Sequence, residues 1–203
     1  MICGLDHYRT DFTDRMGKVV ARGWGCIAVE IPGTGDSPAL KDDPTSPERQ
    51  WSSLLDWVEE QEYFDRTKIA AHGLSTGGHY AMRIAYTHAD RLIGVVAQAG
   101  GSHHMFDKEW IEAIPRLQYP YEYATLMFCF SHMEDRLTIS SDFHSLDGAL
   151  AYKFGYPDVE AFKENGQKKF SLLLNGIFDM PSTRLLLINV CVKKEEPVPE
   201  RRG

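Results

Sequence analysis

Residues 68–78, with the sequence KIAAHGLSTGG, constrain the fold more than any other stretch of the chain. A short apolar strand leads into Gly-x-Ser-x-Gly centred on Ser75, and a helical pattern follows. The glycines at 73 and 77 suit a tight strand-to-helix turn, because larger side chains would crowd the serine. The pattern predicts a nucleophile elbow that raises Ser75 above a sheet, at the positive end of a helix. The alternative is a serine that only caps its own helix.

Four apolar segments are predicted to be strands, and helical patterns separate them. The strands are 25–31, 68–73, 92–99 and 184–189, and the helices are 11–22, 47–62, 76–87 and 157–166. Strands that alternate with helices of this length are typical of βαβ units. We therefore expect the α/β class, with a mostly parallel sheet flanked by helices.

A long segment, residues 102–183, separates the third and fourth predicted strands. In a doubly wound sheet an insertion at this point emerges at the carboxyl ends of the strands. We therefore divide the chain into a core (1–101), a helical cap insertion that covers Ser75 (102–183, atypical at 123–144), the last core strand (184–190) and a disordered tail (191–203).

Charge and composition exclude several classes of function. The formal net charge of −7, with no long basic run, argues against nucleic acid as a partner. No apolar run is long enough to span a membrane, and the N-terminus lacks the pattern of a signal peptide. We expect a cytoplasmic protein, with association to vesicles or endosomes left open. Four scattered cysteines without a CxxC pair predict free thiols.

An acyl nucleophile needs hydrogen-bond donors for the negative charge that develops on the carbonyl oxygen. The backbone N–H of Thr76, next to the nucleophile, is the first candidate. The second is the loop Gly4-Leu5-Asp6, which directly follows the apolar Met1-Ile2-Cys3. The alternative for this loop is an ordinary turn.

Partners for the serine are harder to find in the sequence. In this type of fold the chain order is Ser, then Asp or Glu, then His. No histidine follows His144, and Glu195 and Glu196, the acids just past the last predicted strand, stand in a segment without strand-loop character. The sequence therefore predicts a nucleophile without its ordinary partners.

Other polar residues are expected at the carboxyl edge of the sheet. His103 and His104 follow the third strand, and we expect substrate binding or helix capping there rather than a substitute base. Glu30 ends the first predicted strand, and a role near the crevice is possible for it, whereas Asp36 fits a turn-stabilising role. The adjacent histidines have no third ligand in the sequence, so no metal site and no cofactor is predicted.

Several linked motifs, in order, resemble one family. They are 4–11 (GLDHYRTD), 28–36 (AVEIPGTGD), 73–78 (GLSTGG), 95–98 (VVAQ), 102–104 (SHH), 167–170 (QKKF) and 181–189 (PSTRLLLIN). Together they resemble the FrsA-like branch of the α/β-hydrolases, and within it the yellowish-green heptaketide hydrolases of fungal pigment pathways. The resemblance implies a partial α/β-hydrolase fold with a helical cap, and hydrolytic shortening of an aromatic polyketide to a melanin precursor by C–C or ester cleavage.

By the same resemblance, Ser75 matches the nucleophile, and Thr76 and Leu5 match the residues that give the oxyanion-hole amides. Asp6, Glu30, His103 and His104 are candidates for the substrate pocket. No residue matches the family's acid or its histidine. Family members extend beyond both ends, so a truncated chain is expected, and translated introns would account for 123–144 and 190–203.

Two alternatives remain open at this point. One is a general carboxylesterase or lactone hydrolase, and the other is a truncated, non-catalytic pseudoenzyme. The expected partner is a small aromatic polyketide or an ester, and a homodimer is left open.

Overall fold

The computed structural model describes residues 1–5, 7–113 and 146–189. Asp6, the atypical segment 123–144 and the predicted tail 191–203 lie outside the described residues.

Three parallel strands form the sheet, in the order β1-β2-β3. They are β1 (Ala70–Leu74), β2 (Gly94–Gln98) and β3 (Leu185–Ile188). The register pairs Ala71 with Val95, and Val95 with Leu185. Each strand is reached by a helical crossover, as parallel pairing requires. The prediction of an α/β-hydrolase type of sheet, parallel and flanked by helices, is confirmed.

The first predicted strand, 25–31, is not a strand in the structure. It makes a single bridge, between Val29 and Ile2, and Ile2 makes another with Gly73. The Val29 N–H donates to the Met1 carbonyl at 2.9 Å, and the Cys3 N–H donates to the Val29 carbonyl at 3.0 Å. The segment is extended, but its partner at residues 1–3 is too short to build a ladder. The prediction of four strands is wrong, and the described sheet has three.

Six α-helices accompany the sheet in the described residues. They are α1 (Thr13–Val20), α2 (Ser46–Glu60), α3 (Thr76–Thr87), α4 (Lys108–Ala113), α5 (Leu146–Lys153) and α6 (Val159–Phe170), with 3-10 turns at Arg9–Phe12, Ala89–Arg91, His104–Phe106 and Ile177–Asp179. Trp51, Leu55 and Val58 recur at helical spacing on α2, and all three are buried. Asp158 caps α6 by accepting the Ala161 N–H at 2.8 Å.

The centre of the core lies between α3 and the sheet. α3 packs on β1 and β2, and α2 packs on α3. α3 is buried along most of its length, and small residues alternate with large ones on it. The outer strand β3 differs, since Leu186 and Leu187 are each more than half exposed.

An aromatic cluster joins the insertion to the core. Phe106, from the loop after β2, lies 5.0 Å from Phe154 by ring centroids, and Phe154 stacks on Phe162 of α6 at 5.8 Å. The ring of His79 on α3 meets Phe106 edge-on at 5.2 Å. The described part of the insertion therefore packs on α3, and Ser75 is exposed. The prediction that a cap covers Ser75 depends on residues 114–145, which lie outside the described part of the chain. No helix of the described residues combines the length and apolarity needed to span a bilayer.

Candidate active site

Ser75 occupies the bend between β1 and α3. Its backbone has φ 57° and ψ −125°, a left-handed conformation that non-glycine residues rarely adopt. The Ser75 N–H donates to the Gln98 carbonyl at 2.8 Å, and its own carbonyl accepts the Gly78 N–H at 2.7 Å. These bonds fix the strained bend from the strand and the helix sides, so the exposed side chain is held in place. Strain of this kind is typical of functional positions.

The glycines around Ser75 are sterically required. A Cβ on Gly77 would lie 2.5 Å from the Ile2 carbonyl oxygen, and a Cβ on Gly73 would lie 2.5 Å from the Gly77 carbonyl carbon. One residue further along, a Cβ on Gly78 would lie 2.8 Å from the Gln98 carbonyl oxygen. The bend therefore packs backbone against backbone on both sides, as the Gly-x-Ser-x-Gly spacing predicts.

Two backbone segments lie beside the serine, the start of α3 and the loop that begins at Gly4. Thr76 is the first residue of α3, so its N–H has no carbonyl one turn earlier to bond within the helix. Gly4 lies beside Ser75, because a Cβ on Gly4 would be 3.5 Å from the Ser75 Cβ and 3.3 Å from the Leu74 carbonyl oxygen. The loop that carries Leu5 therefore approaches the bend. Of the predicted loop residues, Asp6 lies outside the described part of the chain.

His7 is a residue that the sequence analysis missed. The same Cβ on Gly4 would lie 3.5 Å from the His7 Nδ1 as well as 3.5 Å from the Ser75 Cβ. The His7 Nδ1 and the Ser75 Cβ are therefore no farther apart than twice 3.5 Å. The ring is partly buried and meets Phe12 edge-on at 5.9 Å. Its position three residues past Gly4, in a loop expected at the carboxyl edge, was the available signal.

Glu30 is buried beneath the same loop, where it lines a small cavity together with Arg9 and Asp36. Its carboxylate accepts the Arg9 backbone N–H at 3.2 Å, the Arg9 Nη1–H at 2.9 Å and the Asp36 N–H at 3.3 Å. Arg9 also forms a two-pronged ion pair with Asp36. The Arg9 guanidinium holds the pKa of Asp36 down at about 2. We refer to these three residues as the carboxylate clasp, and they tie the loop of Gly4–Arg9 to the turn after Glu30.

His103 and His104 lie on the loop after β2, as expected, but each has a partner there. The His103 Nδ1 lies 2.7 Å from the Oγ of the fully buried Ser171, and the His104 Nδ1 lies 2.5 Å from Asp107 Oδ2. His103 thereby connects the β2 loop to the end of α6, while His104 is 84% exposed.

The two histidines nearest Ser75 in sequence serve structure. His72 in β1 lies 3.3 Å from Gln98 Oε1, and burial lowers its pKa. His79 is fully buried, and burial lowers its pKa to about 4. Its Nδ1 lies 3.0 Å from the Gly101 carbonyl oxygen, so the neutral ring carries its proton on Nδ1 and donates there. Both rings are therefore engaged in the packing and hydrogen bonding of the core.

Comparisons with known proteins extend this description. Residues 2–196 match the family model described as "Alpha/beta hydrolase family". Two curated relatives are named Esterase FrsA. The one from Photorhabdus laumondii is 28% identical over 122 residues, 58% of this chain and 28% of its own length. The one from Photobacterium profundum is 26% identical over 121 residues, 56% of this chain and 27% of its own length. The matched part spans little more than a quarter of these relatives.

Among solved structures, two of the protein AbyA5 align with most of the chain. The wild-type structure has a TM-score of 0.60 and 20% identity, and the alignment covers 94% of this chain and 52% of AbyA5. The other has a TM-score of 0.55, also at 20% identity, with 93% and 54% covered. At this level of identity the likeness concerns the fold, and the chain spans about half of that structure.

Proposed function

The chain belongs to the alpha/beta hydrolase family, and on that premise we propose that it acts as a serine hydrolase with Ser75 as the nucleophile. The observation that carries the proposal is the strained, exposed and doubly anchored bend at Ser75. A serine that only capped its helix would need no positive φ, and here the helix N-cap side-chain bond is missing. The named relatives, both esterases, also support hydrolysis.

The proposed chemistry follows acyl transfer. Ser75 Oγ attacks a carbonyl carbon, the carbonyl oxygen takes the negative charge, and the N–H groups of Thr76 and Leu5 donate to it. The leaving group departs with a proton, and water then cleaves the acyl-serine in a second step. Thr76 is favoured by its position as the first residue of α3 and Leu5 by its place in the loop beside Ser75.

The proton from Ser75 needs an acceptor, and we assign this role to His7. The support for this assignment is proximity: the His7 Nδ1 and the Ser75 Cβ would each lie 3.5 Å from a Cβ placed on Gly4. In a C–C cleavage the same imidazolium would return the proton to the departing carbanion, which balances the reaction.

The substrate class is an aromatic polyketide of fungal pigment metabolism, proposed from the linked motifs of the sequence. Esters or lactones of simpler structure are the alternative, and the esterase names of the curated relatives favour them. We expect the sites at Glu30, His103 and His104 to act through the shape of the crevice rather than by direct contact, because their side chains are engaged by Arg9, Ser171 and Asp107.

A non-catalytic protein that binds an aromatic ligand is the second candidate function. One observation favours it: within the described residues, the Ser75 hydroxyl makes no hydrogen bond to a histidine. Such a protein would leave Ser75 unreactive, since an unactivated serine hydroxyl is a weak nucleophile.

Labelling with a fluorophosphonate probe tests the proposal. We expect the purified chain to be labelled at Ser75 and the Ser75→Ala variant to remain unlabelled. An unlabelled wild-type chain with an intact circular dichroism spectrum would favour the non-catalytic alternative. For a labelled chain, turnover of a naphthopyrone measured beside an aryl acetate separates the polyketide hydrolase from the general esterase.

A further inference from the structure

The loop after β2 brings the side chains of His103, His104 and Asp107 close together. One potential ligand atom from each of His103, His104 and Asp107 lies within 4.8 Å of the other two. The adjacent histidines alone offered no third ligand, but the 3-10 turn at His104–Phe106 brings Asp107 back towards His104. We refer to these three residues as the His-His-Asp cluster. None of its members is the proposed nucleophile or one of the proposed oxyanion donors.

From this geometry we infer that the His-His-Asp cluster binds one divalent first-row transition metal ion. Two imidazoles and one carboxylate form a donor set that suits Zn²⁺, Co²⁺, Ni²⁺ or Cu²⁺, whereas Mg²⁺ and Ca²⁺ prefer oxygen ligands alone. Three protein ligands leave the fourth tetrahedral position to water.

The His103 ring is held in place by a neighbour at each of its nitrogens. Ser171 Oγ accepts the Leu174 N–H at 3.1 Å and lies 2.7 Å from the His103 Nδ1. The amide nitrogen of Gln167 lies 3.3 Å from the His103 Nε2, and since this nitrogen can only donate, Nε2 accepts. The ring proton is therefore on Nδ1 and is donated to Ser171. A hydrogen bond from the second ring nitrogen to a fixed acceptor is the usual support of a metal-bound histidine.

The other two ligands can move the short distance that coordination requires. Ligands bonded at about 2.0–2.2 Å in a tetrahedron stand about 3.3–3.6 Å apart. The His104 side chain is 84% exposed, so it can turn with little loss of packing. Asp107 is 26% exposed and supplies one negative charge against the ion. Coordination would replace the His104–Asp107 hydrogen bond and the bond from Gln167, and no covalent chemistry is involved.

A metal ion here would cross-link three residues within the loop after β2. This loop already contacts the end of α6, since His103 lies against Ser171 and the Leu172 N–H donates to the Ser102 carbonyl at 2.9 Å. Binding would raise the melting temperature, because the folded chain binds the ion in preference to the unfolded chain.

Titration of the untagged, metal-stripped chain with Co²⁺ tests the inference, since the visible absorption of Co²⁺ reports tetrahedral coordination. We expect saturation at one equivalent, and at least tenfold weaker binding for His104→Ala and for Asp107→Asn. The matched controls are His7→Ala, a histidine outside the cluster, and Glu109→Gln, an exposed acid two residues past Asp107. Both controls should bind as the wild-type chain does.

His103→Ala is left out because it would disturb the buried Ser171 and its neighbours. The inference is overturned if saturation is not reached at millimolar Co²⁺, if the stoichiometry differs from one, or if the cluster variants, folded by circular dichroism, bind as tightly as the wild-type chain. The readout is the metal itself, so the result is independent of whether Ser75 reacts.

Discussion

Gly77 lies directly against the backbone of Ile2, so that a Cβ at position 77 would stand 2.5 Å from the Ile2 carbonyl oxygen. Two segments far apart in sequence thus meet through backbone atoms at this point, one carrying the proposed nucleophile and the other leading into the loop of Leu5. The two segments cannot easily move apart, because Ile2 is bridged to both Val29 and Gly73.

Gly77→Ala should therefore lower the free energy of unfolding by about 3 kcal/mol, since a backbone carbonyl cannot move aside as a flexible side chain can. Gly17→Ala is the matched control. Gly17 is in exposed α1 with nothing within 4 Å of an added Cβ, and alanine there should raise stability by about 1 kcal/mol through helix propensity. Urea unfolding measures both. A Gly77→Ala variant as stable as the wild-type chain would contradict the geometry.

Replacement of Ser75 should separate reactivity from backbone strain. Ser75→Gly and Ser75→Ala both remove the hydroxyl, and both should abolish fluorophosphonate labelling. Glycine alone accepts φ 57° without strain, so Ser75→Gly should be more stable than Ser75→Ala by about 1–2 kcal/mol. Equal melting temperatures for the two variants would show that the bend stores no strain.

His7→Gly should slow the labelling of Ser75 by about a hundredfold or more, which is the range that a general base contributes. Added imidazole should restore part of the rate in His7→Gly, since a small base can enter the space that the side chain vacates. His104→Ala serves as the control, because His104 is exposed and paired with Asp107. Unchanged labelling of His7→Gly would assign the proton to another acceptor.

The carboxylate clasp gives a fourth prediction. Glu30→Gln keeps the shape of the side chain but removes the charge that faces Arg9. Because the Arg9 side chain is 48% exposed and keeps its pair with Asp36, we expect only a modest loss of stability, about 1 kcal/mol. Because the loop of residues 4–9 would then be held less firmly, the labelling of Ser75 should be slower than in the wild-type chain. This should hold even at temperatures well below the melting temperature of the variant. Asp43→Asn, which breaks the more exposed pair with Arg49, should change neither property appreciably. Labelling of Glu30→Gln at the wild-type rate would mean that the loop holds its position without the clasp.

Acid should destabilise the chain in a window set by His79. Its pKa is about 4 in the folded chain and ordinarily 6.5, so the unfolded chain binds more protons between these values. Stability is therefore complete above pH 6.5 and falls as the pH drops towards 4, by up to about 3 kcal/mol. His79→Asn keeps a donor for the Gly101 carbonyl but cannot titrate, and should flatten this slope.

Burial also lowers the pKa of His72 and His88, so a smaller slope of the same sign should remain in His79→Asn. Carboxylates such as Asp36, with a pKa of about 2, lose their contribution only below this window. Urea unfolding at pH 4.5, 5.5 and 7 measures the slope, and a variant that keeps the full wild-type slope would exclude His79 as its source.

Local patterns predicted the centre of this structure well. The helix expected at 76–87 has the same bounds in α3, and β1 follows the expected strand within two residues, because the turn chemistry around Ser75 is encoded in adjacent residues. The segment at 25–31 has equally good strand propensity. It fails to form a strand since pairing depends on a partner far away in sequence, and that partner offers only residues 1–3.

A sequence pattern also could not predict which side chains of the site lie together, because these contacts again depend on how distant segments meet. The proposed role of His7 depends on Gly4, which lies beside Ser75 only in the folded chain. Glu30 was expected at the crevice, but a buried position under Arg9 depends on how two loops meet. Asp107 lies close to His103 and His104 because of a 3-10 turn that no sequence pattern predicted.

The ring of His79 contacts Phe106 and Phe154 while sitting one helical turn beyond the proposed nucleophile. The insertion consequently packs on α3 through this imidazole, beside Tyr80, which stacks on Phe154. An engineer who exchanges this insertion for that of another family member has to redesign position 79 at the same time, because a transplanted segment would otherwise meet an imidazole shaped for different neighbours.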